Sequence, residues 1–154
     1  SAFVALTAAC ATSPTSPSSA GTSDSSAWNG NINASQTLCV DEVNKYRASV
    51  GLPAVSRSTE LETFGAQAAE YDGKLGVPHS YFRVTNGGGI SKAENELLLW
   101  KGYAIDEVIR EGIARMWAEG PGGGHYDNLT GPYTQVGCGI WLNGNEVNIG
   151  QELR

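Results

Sequence analysis

The apolar residues of this chain change their period near residue 135. Before that point they recur every three or four positions. Leu38, Val43, Tyr46 and Val50 share one helical face with Cys39 beside them, and Gly51 and Pro53 then stop the helix. Leu61, Phe64, Ala68, Tyr71 and Leu75 form a second stripe, opened by Thr59 with Glu62 three residues on, a capping-box spacing. Ile109, Ile113, Met116 and Trp117 make the inner face of a third helix over about 106–119, closed by Gly120 and Pro121. Then the period falls to two. Val136, Cys138, Ile140 and Leu142 alternate, Asn143-Gly144 signals a hairpin, and Val147 and Ile149 alternate again. Helices first and an antiparallel pair last predict an α+β layer arrangement and argue against a doubly wound sheet. The stretch 93–100, AENELLLW, suits a strand end or a single helical turn. The glycine-rich stretch 76–90, which carries His79, reads as irregular.

The N-terminal part obeys neither period. Residues 1–34 read as an export remnant followed by a flexible tether, and residues 35–154 as one domain. Ala2 to Ala9 is apolar but too short to span a bilayer, and it matches the end of a secretory segment. Cys10 follows in a lipobox-like context, although Thr7 stands where that pattern wants Leu, so Cys10 is a lipidation candidate and a possible membrane tether. Residues 11–26 hold ten Ser or Thr and a single charge, too little apolar surface to fold alone. If Cys10 carries lipid or is removed, Cys39 and Cys138 remain as a candidate disulfide; two buried free thiols are the alternative. The net charge of −6 leaves no electrostatic footprint for nucleic acid and suits a cationic ligand or a metal ion better.

The chain has two histidines, and one sits in EGPGGGHYDNLT, residues 119–130. Glu119 falls in the last turn of the third helix, against the negative end of its dipole, at a cost of about 0.3–1 kcal/mol. The glycines allow a sharp return of the backbone. An imidazole at His125 can therefore come back to Glu119; a solvated pair on a mobile loop is the competing reading.

A wider series of short motifs appears in order: Asn44-Lys45-Tyr46-Arg47, Gly51-Leu52-Pro53, His79-Ser80, Glu94-Asn95, Trp117-Ala118-Glu119, Gly124-His125-Tyr126 and Val136-Gly137-Cys138-Gly139. The series resembles the CAP superfamily, the SCP domain of cysteine-rich secretory, antigen 5 and pathogenesis-related 1 proteins. It covers roughly Thr37 to Glu152, and its order carries more weight than any one motif. Asp127-Asn128 replaces the Thr-Gln that often follows Gly-His-Tyr, the gap from Glu119 to His125 is short, and the cysteine-rich extension of animal members is not expected. The chain looks like a compact, bacterial-like member.

That resemblance implies an α-β-α sandwich around a central antiparallel sheet. It also implies a cleft lined by His79, Glu94, Glu119 and His125, with Glu96 as a rival to Glu94. Two imidazoles with carboxylates nearby suit Zn²⁺ or another divalent metal, with His79 and His125 as ligands. The same four side chains suit acid–base or metal-assisted hydrolysis of a peptide or ester bond. They equally suit a purely structural polar network. Asn95 is expected to order backbone, Arg47 to hold the fold, and Tyr81, Phe82 and Trp100 to line an apolar groove or the core. The expected protein is monomeric and secreted or held at the cell envelope. Its partner is a small molecule, lipid or protein that the sequence does not name.

Overall fold

The structure is a computed structural model that describes residues 31–154. The export-like segment, Cys10 and the Ser/Thr-rich tether up to residue 30 lie outside the described residues. In chain order the elements are α1 (Ile32–Ser49), β1 (Ser56–Arg57), α2 (Thr59–Leu75), α3 (Ser80–Thr85), β2 (Ala93–Lys101), α4 (Ile105–Ala118), α5 (Gly124–Thr130), β3 (Gln135–Asn143) and β4 (Glu146–Leu153). The four strands lie in the order β1-β3-β4-β2. β3, β4 and β2 are antiparallel, and the two residues of β1 pair parallel to β3. The sheet is therefore mixed, because the chain enters it from the end of α1 before the hairpin forms.

The hairpin decides which side chains face which layer. Val136, Cys138 and Ile140 of β3 stand opposite Leu153, Gln151 and Ile149 of β4. These side chains project toward α1 and α4, where Cys39, Val43, Ile109, Ile113 and Met116 complete one core. Cys39 and Cys138 are joined in a disulfide across that core. The alternate residues, Gly137, Gly139 and Gly150, face α2. A Cβ on Gly139 would lie 1.8 Å from the Ala66 nitrogen, so α2 rests directly on the strand backbone. The result is an α-β-α sandwich with α2 on one face and α1 and α4 on the other.

Several local expectations shift for physical reasons. Ser58, not Thr59, caps α2 by accepting the Leu61 N–H, and Glu62 pairs with Arg57 instead of completing a capping box. The buried stripe of α2 is Leu61, Phe64, Gly65, Ala68 and Asp72, while Tyr71 and Leu75 are exposed. Small residues had to face the sheet because the helix approaches so closely. In α1 the inward set is Cys39, Val40, Val43 and Arg47, with Val50 exposed. Arg47 is buried and donates to the carbonyls of Pro53, Leu129 and Gly131, tying α1 to the chain before β3. The stretch 93–100 is strand throughout. The hairpin turn is Gly144-Asn145, one residue later than the Asn-Gly pair suggests, with Gly144 at φ 60°.

Candidate functional site

β2 is the strand at the free edge of the sheet, and it carries the site. Alternation puts Glu94 and Glu96 on the α2 side and Asn95 on the α4 side. Asn95 hydrogen-bonds Gln151 and receives the Asn128 amide at 2.9 Å, while the same amide donates to the Glu94 carbonyl at 3.1 Å. Asn128 therefore pins α5 to β2. The Asp127-Asn128 pair, a departure from the usual family pattern, is structural: Asp127 accepts the Gly122 N–H and steadies the turn before α5.

His79 precedes α3 with φ at 59°, a left-handed conformation that non-glycine residues seldom adopt. Two acids hold it there. Its backbone N–H donates to Glu96 Oε2 at 2.6 Å, and its ring Nδ1 is 2.8 Å from Glu94 Oε2. The ring is about one-third exposed, whereas both carboxylates are nearly fully buried. Burial first, and then the Glu94 charge, push the Glu96 carboxyl up to about 9.

His125 repeats the arrangement on the other helical layer. It lies in the first turn of α5, so the glycine-rich stretch ends in a short helix and not in a loop. Its Nδ1 is 2.5 Å from Glu119 Oε1, and its backbone N–H donates to Glu119 Oε2 at 3.1 Å. The hydrogen bond from the His125 ring, assisted by the His125 and Tyr126 amides, holds the Glu119 carboxyl below the usual carboxylate range. Glu119 thus offsets its place at the end of α4 by sitting at the start of α5.

Both histidines line one cleft of about 380 Å³, whose floor is Leu97 to Trp100 of the edge strand. A larger cavity of about 500 Å³ lies elsewhere, over Trp141 and between Gln36 and Glu70, and touches neither histidine. Of the expected apolar residues, Trp100 lines the cleft. Tyr81 instead packs between Phe64 and Tyr71. Phe82 lies beside Gly87, and Trp117 stacks between Tyr46 and Tyr126. The Ser80 hydroxyl donates to the Val77 carbonyl and receives Arg83, so it is not aligned on His79 as a nucleophile.

The profile of the cysteine-rich secretory protein (CAP) family matches residues 40–150. The chain belongs to the CAP family. Solved structures share the fold at low identity. The CAP domain of enterococcal PrgA superposes with a TM-score of 0.62 at 18% identity, over 78% of this chain and 59% of that one. An outer surface protein from Borrelia burgdorferi gives 0.53 at 12%, over 80% of this chain and 95% of that one. A Bacillus anthracis extracellular protein containing an SCP domain gives 0.53 at 14%, over 79% of this chain and 41% of that one. This CAP chain therefore spans less than two-thirds of the enterococcal chain and less than half of the Bacillus chain. No curated protein matches it significantly.

Among the described residues of this CAP domain, one group of three side chains could hold a metal ion. His79, Glu94 and Glu96 offer atoms that all lie within 4.8 Å of one another. Using them directly would break the hydrogen bonds that hold His79. The two imidazoles border the same cleft. Each has Nδ1 on a carboxylate, which leaves each Nε2 as a free acceptor, the arrangement that carboxylate-backed histidine ligands adopt. Imidazole and carboxylate are the N and O donor types that Zn²⁺ takes. Sequence reasoning misses Asp72 and Glu152, two buried acids behind the site, and it has no signal for them beyond a charge at an inward position.

Proposed function

We propose that this chain is an exported CAP domain that binds a ligand in the His79/His125 cleft, around a divalent cation such as Zn²⁺ held by the Nε2 atoms of the two histidines. The observation that carries this reading is the repeated dyad. Two imidazoles on opposite layers of the sandwich each turn Nδ1 to a glutamate, and both border the same cleft. Glu94 and Glu119 fix the ring orientation and raise ligand basicity. A bound cation would supply a positive pole for an oxygen of the ligand, and the edge-strand residues Leu97 to Trp100 would hold its apolar part. Export is supported by the Cys39–Cys138 disulfide, which persists in oxidising compartments. No helix among the described residues is long and apolar enough to cross a membrane. Similar folds occur in proteins described as extracellular or outer-surface. A lipid tether at Cys10 is part of the same proposal.

A second reading uses the His125–Glu119 dyad as a general base without metal. It is favoured by the exposure of both side chains, about 37% and 36%, which leaves them accessible to a substrate. This reading makes the protein a hydrolase of peptide or ester bonds.

The test is a calorimetric titration of the full chain with Zn²⁺, carrying Cys10→Ser so that this thiol adds no ligand. Stoichiometric binding that is lost in His79→Ala and in His125→Ala supports the metal reading. Binding that persists in both variants refutes it. Hydrolysis of a peptide or ester panel that disappears in Glu119→Gln, in metal-free protein, supports the second reading.

A further inference from the structure

Four carboxyls are buried together on the α2 side of the sheet, and two of them have no part in the reading above. Glu152 stands directly opposite Glu94 in the β2/β4 ladder. It is fully buried; the neighbouring Ser91 hydroxyl turns to the Ala93 and Leu153 carbonyls, and neither Glu152 oxygen has a hydrogen-bond donor. Asp72, on the inner face of α2, is equally buried. Its Oδ1 accepts the Tyr81 N–H at 2.9 Å, while its Oδ2 meets no donor. The far oxygens of the two acids that hold His79, Glu94 Oε1 and Glu96 Oε1, are in the same position.

These atoms without donors fall into pairs. The strand register sets Glu152 beside Glu94, and Asp72 lies near enough to Glu96 for the two carboxyls to influence each other. Two buried carboxyl oxygens remain in contact only with a proton between them, because two bare carboxylates would repel and neither could be solvated. The near oxygen of each of Glu94 and Glu96 faces His79, and the far oxygen meets no N–H or O–H donor other than a proton shared with a neighbouring carboxyl.

We propose that Asp72 and Glu152 are positioning residues for His79. Glu152 fixes the far oxygen of Glu94, whose near oxygen holds the His79 ring. Asp72 fixes the far oxygen of Glu96, whose near oxygen holds the His79 backbone N–H. His79 needs both anchors because its left-handed backbone is unfavourable for a side chain with a Cβ. Asp72 also ties the end of α2 to the start of α3 through the Tyr81 N–H, so one residue sets both the backbone around His79 and the acid that binds it. Neither residue borders the cleft, so each acts through an acid that holds His79. This inference deepens the cleft reading, but its geometry holds with or without a metal.

The test reads His79 by ¹⁵N NMR in the full chain carrying Cys10→Ser, at neutral pH, without metal. In the parent, the ring shifts report one fixed tautomer with the proton on Nδ1. Glu152→Ala is expected to mix the tautomers. Glu152→Gln is expected to restore the parent pattern, because its amide N–H donates to Glu94 as the acid did. Asp72→Ala is expected to move the His79 backbone amide, and Asp72→Asn to leave it in place. The His125 signals stay unchanged in all four variants. Folded alanine variants with parent-like His79 signals would overturn the proposal, as would a folded Glu152→Gln that behaves like Glu152→Ala. If an alanine variant does not fold, Glu152→Asp carries the test. It keeps the acid but withdraws it from Glu94 by one methylene, and an unchanged His79 ring in that variant counts against the proposal equally. A Zn²⁺ titration of the same samples separates the two claims. A parent that binds no Zn²⁺ but loses its His79 tautomer in Glu152→Ala sinks the metal reading alone. A parent that binds Zn²⁺ with no loss in a folded Glu152→Ala, where about a tenfold or greater loss is expected, sinks the positioning role alone.

Discussion

Glu119 ends α4 and, through both carboxylate oxygens, holds the ring and the backbone N–H of His125 at the start of α5. One side chain thus joins two helices and sets the orientation of a cleft imidazole. Glu119→Gln removes the charge and keeps the shape. It is expected to weaken Zn²⁺ binding by about 10–100-fold, the usual loss for an outer partner of a ligating histidine. The melting temperature should barely move, because the pair is exposed. Calorimetry beside a thermal melt checks both parts, and Ser80→Ala, whose hydroxyl bonds Val77 and Arg83 and not the His79 ring, serves as the unchanged control.

The close seating of α2 predicts a severe effect at Gly139. A methyl there would strike the backbone of α2 at Gly65 and Ala66. No side chain can move aside, so the helix itself must shift. Gly139→Ala is expected to destabilise the domain by about 3 kcal/mol or more, at or beyond the upper end of overpacking costs. Urea unfolding measures it, and a loss below about 1 kcal/mol would mean that α2 sits further from the sheet.

The Cys39–Cys138 bridge spans a sequence separation of 99 residues. Chain-entropy arguments give about 4–5 kcal/mol for closing a loop of that length. Replacing both cysteines with alanine is therefore expected to lower the unfolding free energy by several kcal/mol, and reductant should lower the melting temperature of the parent but not of the variant. A parent indifferent to reductant at its melting temperature would contradict this.

The buried acids predict an unusual pH dependence. Burial, followed by the charge of Glu94, raises Glu96 to about 9 and Glu152 to about 10. Between their ordinary values and these, the folded state binds more protons than the unfolded state. Their contribution is therefore fully present below about pH 4.5 and is lost as pH rises through 9 to 10, with a slope of at most about 1.4 kcal/mol per pH unit for each proton. Glu119 works in the opposite sense. Its carboxyl is held low by His125, so its contribution is present at neutral pH and is lost as pH falls through its lowered value. Denaturant unfolding at pH 6, 8 and 9.5 should show falling stability, and Glu152→Gln should flatten the slope. A stability that rises over that range would contradict the assignment.

Much of the site was legible because its residues form local pairs. Glu119 and His125 are six positions apart with glycines between them, and Glu94-Asn95 is a contiguous motif. The helical character of α5 was not legible. Its glycines argue for a loop, and its helix is sustained by tertiary ties, Asn128 to β2 and Glu119 to the first amides. The outward placement of Tyr71 and Leu75 was hidden for a related reason. Periodicity marks which residues are apolar, whereas the contact distance between α2 and the sheet decides that glycine and alanine must be the ones inside.

The amino-acid sequence by itself determined the α+β class, through one change in apolar period, and the family, through an ordered set of short motifs. Both are properties of residues near one another in the chain. The same motifs implied, through the family, a cleft shared by His79 and His125; the tertiary structure alone decided that the edge strand floors it and that Asp72 and Glu152 stand behind Glu96 and Glu94. Those relations depend on strand register and on which face of β4 meets α2. A shift of one residue in that register would turn Glu152 to the opposite layer, and no local pattern in the chain records which register forms.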